Sequence, residues 1–130
     1  MAAIYLYLNA ALYAVFALWC TASAERTARG LGYSALTPGG RSEYLVVYGG
    51  LQAGLAIVFF VLARDPARHR LGMWIALAVY GPIVAYRLIT LMHFWPVGAT
   101  TVGTAVLEFA LLATAIAITF LSTAAFPPRF

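Results

Sequence analysis

Two ionisable side chains stand inside apolar runs of this sequence. Arg87 lies in Val84-Ala85-Tyr86-Arg87-Leu88-Ile89, and Glu108 lies in Ala105-Val106-Leu107-Glu108-Phe109-Ala110. A charge at the centre of a spanning helix costs about 2.5–3.5 kcal/mol on insertion scales, so such a residue faces other helices and finds a partner there. A guanidinium and a carboxylate are natural partners, because two parallel N–H donors match two carboxylate oxygens.

Polar residues on neighbouring runs recur at helical spacing. Tyr44, Tyr48 and Gln52 fall at i, i+4 and i+8, on one stripe of a helix. Tyr80 precedes Arg87 by seven residues, on the same face, and Thr101 and Thr104 share a face with Glu108. At about 1.5 Å per residue, Tyr48 and Gln52 would lie roughly 8 and 14 Å deep, level with Arg87 and Glu108. The first run offers Tyr5, Asn9 and Tyr13 at the same i, i+4, i+8 spacing, placed mostly nearer the other leaflet. The expected ligand-binding set is therefore Arg87, Glu108, Gln52, Tyr48 and Tyr80, with Glu43 at the head of the second run.

Catalytic and metal chemistry find little footing. There is no Ser-His-Asp set, no paired carboxylates and no phosphate-cradling glycine loop, so no catalytic residue is assigned and the reading leans away from an enzyme. His69 sits among arginines in a turn, and His93 ends an apolar run beside Phe94 and Trp95. Neither has further ligands at useful spacing, so no metal and no cofactor are expected. Cys20 is the sole cysteine and reads as a small packed hydrophobe.

The elements that must position these residues follow from composition. Of 130 residues, 64% are hydrophobic and 9% charged, whereas soluble domains run about 45–50% apolar and about 25% charged. Four stretches of about 20 apolar residues suit membrane-spanning helices: residues 3–22, 43–63, 71–92 and 99–123. The connections are a polar stretch from Thr21 to Ser42, the short turn Arg64-Asp65-Pro66-Ala67-Arg68-His69-Arg70, and the uncharged link around Trp95-Pro96. Short links favour an antiparallel, up-down-up-down arrangement. The expected fold is one all-α domain, an integral membrane four-helix bundle. Ala22-Ser23-Ala24 has the small residues of a signal-peptide cleavage site, but no Lys or Arg precedes the run and Asn9 interrupts it; the run is read as a helix of the mature protein.

All eight cations are arginine, scattered beside apolar runs, and the net charge of +4 reads as membrane flanking, not nucleic-acid binding. Arg64, Arg68 and Arg70 crowd one turn, and Arg129 would share their side; Arg26, Arg29 and Arg41 are diluted by Glu25 and Glu43. The positive-inside rule then puts both termini in the cytoplasm of a cell whose inner membrane the chain spans. Gly50 and Gly54 form a GxxxG pair, read as internal helix packing, and Gly81-Pro82 as a kink.

With Tyr48-Gly49-Gly50-Leu51-Gln52, Glu43 upstream, an Arg late in the third run and a Glu in the fourth, the sequence resembles an uncharacterised bacterial family of small four-helix membrane proteins. More loosely it is similar to DoxX-type proteins. The resemblance implies the fold and the polar cluster and supplies no mechanism. Three functions remain open from sequence: a pocket for a small, partly lipidic molecule; an accessory subunit of a larger membrane complex, or a homo-oligomer, acting through its lipid-facing surface; and a small proton-coupled transporter using Glu108. A polar clamp without a ligand is the structural alternative to all three.

Overall fold

A computed structural model describes the backbone of residues 1–124 and the side chains of residues 1–120. Arg129, counted in the orientation argument, lies outside the described residues. Within them the chain is all-helical, with no strand. Its elements are α1 (Ala2–Ala22), α2 (Ala24–Gly30), α3 (Pro38–Tyr44), a π-helical segment (Leu45–Leu51), α4 (Gln52–Arg64), a 3-10 turn (Pro66–Arg68), α5 (His69–Phe94) and α6 (Ala99–Ala124). They form four helices long and apolar enough to cross a membrane: Ala2–Ala22, Pro38–Arg64, Pro66–Phe94 and Ala99–Phe120.

The stretch from Thr21 to Ser42, expected as a polar loop, is largely helical. Ala24-Glu25-Arg26-Thr27-Ala28-Arg29-Gly30 contains strong helix formers and buries Ala24, Thr27 and Ala28. α2 ends in a Schellman cap: Gly32 takes φ +99, its N–H reaches the Arg29 carbonyl, and the Tyr33 N–H reaches the Ala28 carbonyl. α3 starts at Pro38, whose fixed φ and missing N–H suit a first helical position, and the Thr37 hydroxyl accepts from the Gly40 N–H at 3.1 Å. Only residues 31–37 connect the two. Polarity and glycine content suggested a loop, but they are compatible with short helices once caps and a buried face are supplied.

Helix pairing is set by small residues and rings. α1 lies along α4, with Tyr7 edge-on to Phe60, Tyr13 stacked on Phe59 and Phe16 edge-on to Tyr48. α5 lies along α6 and also meets α1 and α4. The α1–α5 approach depends on Gly72: a Cβ there would sit 2.7 Å from Leu6 Cδ1, and Leu6 is fully buried. The core is thin, combining Tyr5, Leu6, Phe59, Met73, Ala76, Tyr80, Leu111 and Ala115. A second cluster gathers Cys20, Ala24, Ala28 and Tyr44 at the α1–α2–α3 corner.

Most of the apolar side chains point outward instead. At most 33% of the most apolar stretch of any of the four long helices is buried against the rest of the chain. Ile4, Leu18, Ile57, Met92 and Phe120 are among the large residues left exposed. Gly50 and Gly54 belong to this outer surface, with nothing within 4 Å of a Cβ at either. They do not serve internal packing as expected; Gly49 makes the close approach, where a Cβ would meet Thr21 Oγ1 at 2.8 Å. The helix α5 runs unbroken through Pro82.

Candidate functional site

Arg87 and Glu108 are brought together by the α5–α6 pairing. Seven residues separate Arg87 from the end of α5 at Phe94, and nine separate Glu108 from the start of α6 at Ala99. At about 1.5 Å per residue these are rises of roughly 10 and 14 Å from the same connection, a gap that a long arginine side chain closes. The contact is bidentate: Arg87 Nε donates to Glu108 Oε2 and Arg87 Nη2 to Glu108 Oε1, each at 2.8 Å. The two side chains remain 26% and 19% exposed, so the pair sits at the edge of the bundle, not sealed inside it. Those bonds occupy two of the five donors that a guanidinium carries.

The other expected residues divide into neighbours and outliers. Tyr48 is half-buried and lies within electrostatic reach of Arg87. Tyr80 is buried and within electrostatic reach of Glu108, but its hydroxyl is committed to α1, donating to Asn9 Oδ1. Gln52 does not bond to either charge: its amide donates to the Val47 carbonyl, five residues back, at 3.4 Å, the i−5 relation that a π-helical turn creates. Glu43 is exposed and forms no hydrogen bond or ion pair among the described residues; it lines a cleft of about 400 Å³ near the start of α3. Thr104 donates to the Thr101 carbonyl and not to Glu108, the local back-bonding common to helix threonines.

The first helix contributes more than depth arithmetic indicated. Asn9 is fully buried; it accepts from Tyr80 and donates to the Tyr5 carbonyl at 2.7 Å, while the Tyr5 hydroxyl donates to the Leu111 carbonyl at 2.9 Å. Tyr13 stacks between Phe59 and Tyr80, with centroid distances of 5.7 and 6.3 Å, and lies within electrostatic reach of Glu108. Polar groups thus join α1, α5 and α6 from Tyr5 to the ion pair. The spacing of Tyr5, Asn9 and Tyr13 was the available signal; measuring each helix from its own end hid the fact that Asn9 and Tyr80 meet in mid-bundle. No described buried side-chain nitrogen or oxygen lacks a hydrogen bond.

Chemically the arrangement can present a cation whose charge is balanced, which is partly exposed and which keeps donors that Glu108 does not occupy. Among the described residues, no group of three His, Cys, Asp or Glu side chains is placed to hold a metal ion. Compared with known proteins, the chain matches no family model, no curated protein and no solved structure.

Proposed function

We propose that this protein binds a small, partly lipidic molecule at the Arg87–Glu108 pair. The observation that carries the reading is the half-open bidentate pair: Arg87 is held in place by Glu108 yet keeps spare donors at the bundle edge. An Arg with a carboxylate partner presents no net charge, so the favoured ligand offers a strong hydrogen-bond acceptor on an apolar body, as a quinone, an acyl lipid or an isoprenoid does. Tyr48 forms part of the wall, and Glu108 acts as the positioning residue that fixes the guanidinium fork.

The setting is a four-helix up-down-up-down bundle in the cytoplasmic membrane, with both termini inside. Support comes from the outward apolar surface and from the opposite running order of the contacts between α1 and the second long helix, Tyr7 with Phe60 and Phe16 with Tyr48. The turn holding Arg64, Arg68 and Arg70 then faces the cytoplasm.

The test is copurification. Native mass spectrometry of the protein extracted in mild detergent should reveal a bound acceptor-bearing lipidic molecule. The charge-neutral double variant Arg87→Gln/Glu108→Gln should lose it while retaining its helical spectrum. Equal retention by both proteins would defeat the proposal. A stoichiometric protein partner with no small molecule would point instead to an accessory subunit.

A further inference from the structure

We propose a second binding site, for an organic ammonium group, in the cleft between residues 33–37 and the start of the second long helix. The cleft encloses about 400 Å³ and is lined by Tyr33, Tyr44 and Tyr48 together with Glu43. Tyr33 and Tyr44 stand nearly perpendicular, 83° apart with centroids 6.2 Å from one another, and Tyr48 stacks on Tyr44 at 4.5 Å. Tyr44 is buried behind the other two rings, so Tyr33 and Tyr48 offer the accessible aromatic surface, and Glu43 is the one carboxylate in the lining. This combination attracts methylated or protonated amines, because ring quadrupoles favour the cation and a carboxylate supplies counter-charge.

The Tyr44 ring and the Tyr33 backbone are held independently of any ligand. The Tyr44 hydroxyl donates to Thr27 Oγ1 at 2.8 Å and lies 3.6 Å from Cys20 Sγ, which pins the ring against α2 and α1. Tyr33 is set by the Schellman cap that depends on Gly32. Among the described residues Glu43 has no hydrogen-bond or ion-pair partner, and Arg41 contacts Glu25 at 3.7 Å. The chemistry is that of a choline-like or alkylamine head. Tyr48 is shared with the wall proposed beside Arg87, but neither Arg87 nor Glu108 lines this cleft, and only its position at the membrane surface rests on the proposed insertion.

The experiment uses the full chain, labelled with ¹³C-tyrosine, in maltoside detergent and in nanodiscs. Tetramethylammonium should shift tyrosine signals saturably, whereas neopentyl alcohol, a neutral compound of similar shape, should not. Glu43→Gln and Tyr33→Leu, both at exposed positions, should each weaken binding about tenfold, the factor that a single cation–ring or charge contact supplies. Asp65→Asn, carrying the same charge change at the far end of the second long helix, and the Arg87→Gln/Glu108→Gln variant should leave it in place. In phosphatidylglycerol nanodiscs the added cation should shift the signals. If phosphatidylcholine nanodiscs abolish that shift, the occupant is a lipid head; an equal shift in both supports a soluble amine. Equal response to the alcohol, or equal weakening by Asp65→Asn and Glu43→Gln, overturns the site.

Discussion

Arg87 and Glu108 are individually costly and jointly tolerable. Removing one partner strands the other charge in surroundings that solvate it poorly, so Arg87→Gln or Glu108→Gln alone should destabilise the protein by about 1–2 kcal/mol, less than a fully buried pair because both side chains are partly exposed. The double variant should recover most of the loss. Reversible unfolding in mixed detergent micelles, read as a double-mutant cycle, measures this; additive losses would mean that the two charges do not interact. Tyr80→Phe tests the buried link to α1. It leaves Asn9 Oδ1 without its donor, and an expected loss of about 0.6 kcal/mol, the average for side-chain hydrogen bonds inside membranes, should appear in the same assay.

Between elements, glycines determine how closely the helices approach. Gly72→Ala inserts a methyl group against the fully buried Leu6 side chain, so Leu6 must leave its rotamer or α1 and α5 must separate. The expected cost is about 1–3 kcal/mol, in the range for overpacked cores. Gly54→Ala faces open space and should be neutral or slightly stabilising, since a helix loses less on ordering alanine than glycine. Thermal unfolding of the two variants side by side checks the contrast. It also separates two motifs that look alike on paper: the GxxxG pair is outward-facing, and the isolated Gly72 is the packed one.

For the whole molecule, the proposed orientation rests on the distribution of charge. Neutralising Arg64, Arg68 and Arg70 together removes the basic turn between the second and third long helices. Topology should then become mixed, as read by accessibility of a cysteine introduced at Ala67 to an impermeant thiol reagent applied from outside. With the arginines present, that cysteine should be protected; labelling of the otherwise unaltered chain would reverse the proposed orientation. Cys20 is buried and should contribute little background.

The sequence alone determined the helical class and the Arg87–Glu108 meeting. Hydrophobic runs of spanning length need no tertiary information to be read, and two charges near one short connection have few other partners. Tertiary structure decided the rest, because it depends on rotation about helix axes. A π-helical turn changes the phase of Gln52 and gives its amide to Val47, where regular α spacing aimed it at Arg87. Capping by Gly32 and Thr37 turns an apparent loop into walls of a cleft whose one charged lining residue is Glu43. Asn9 and Tyr80 meet across 71 residues of chain; each lies on a legible stripe, but which stripes face one another is fixed only when small residues such as Gly72 let particular helices touch.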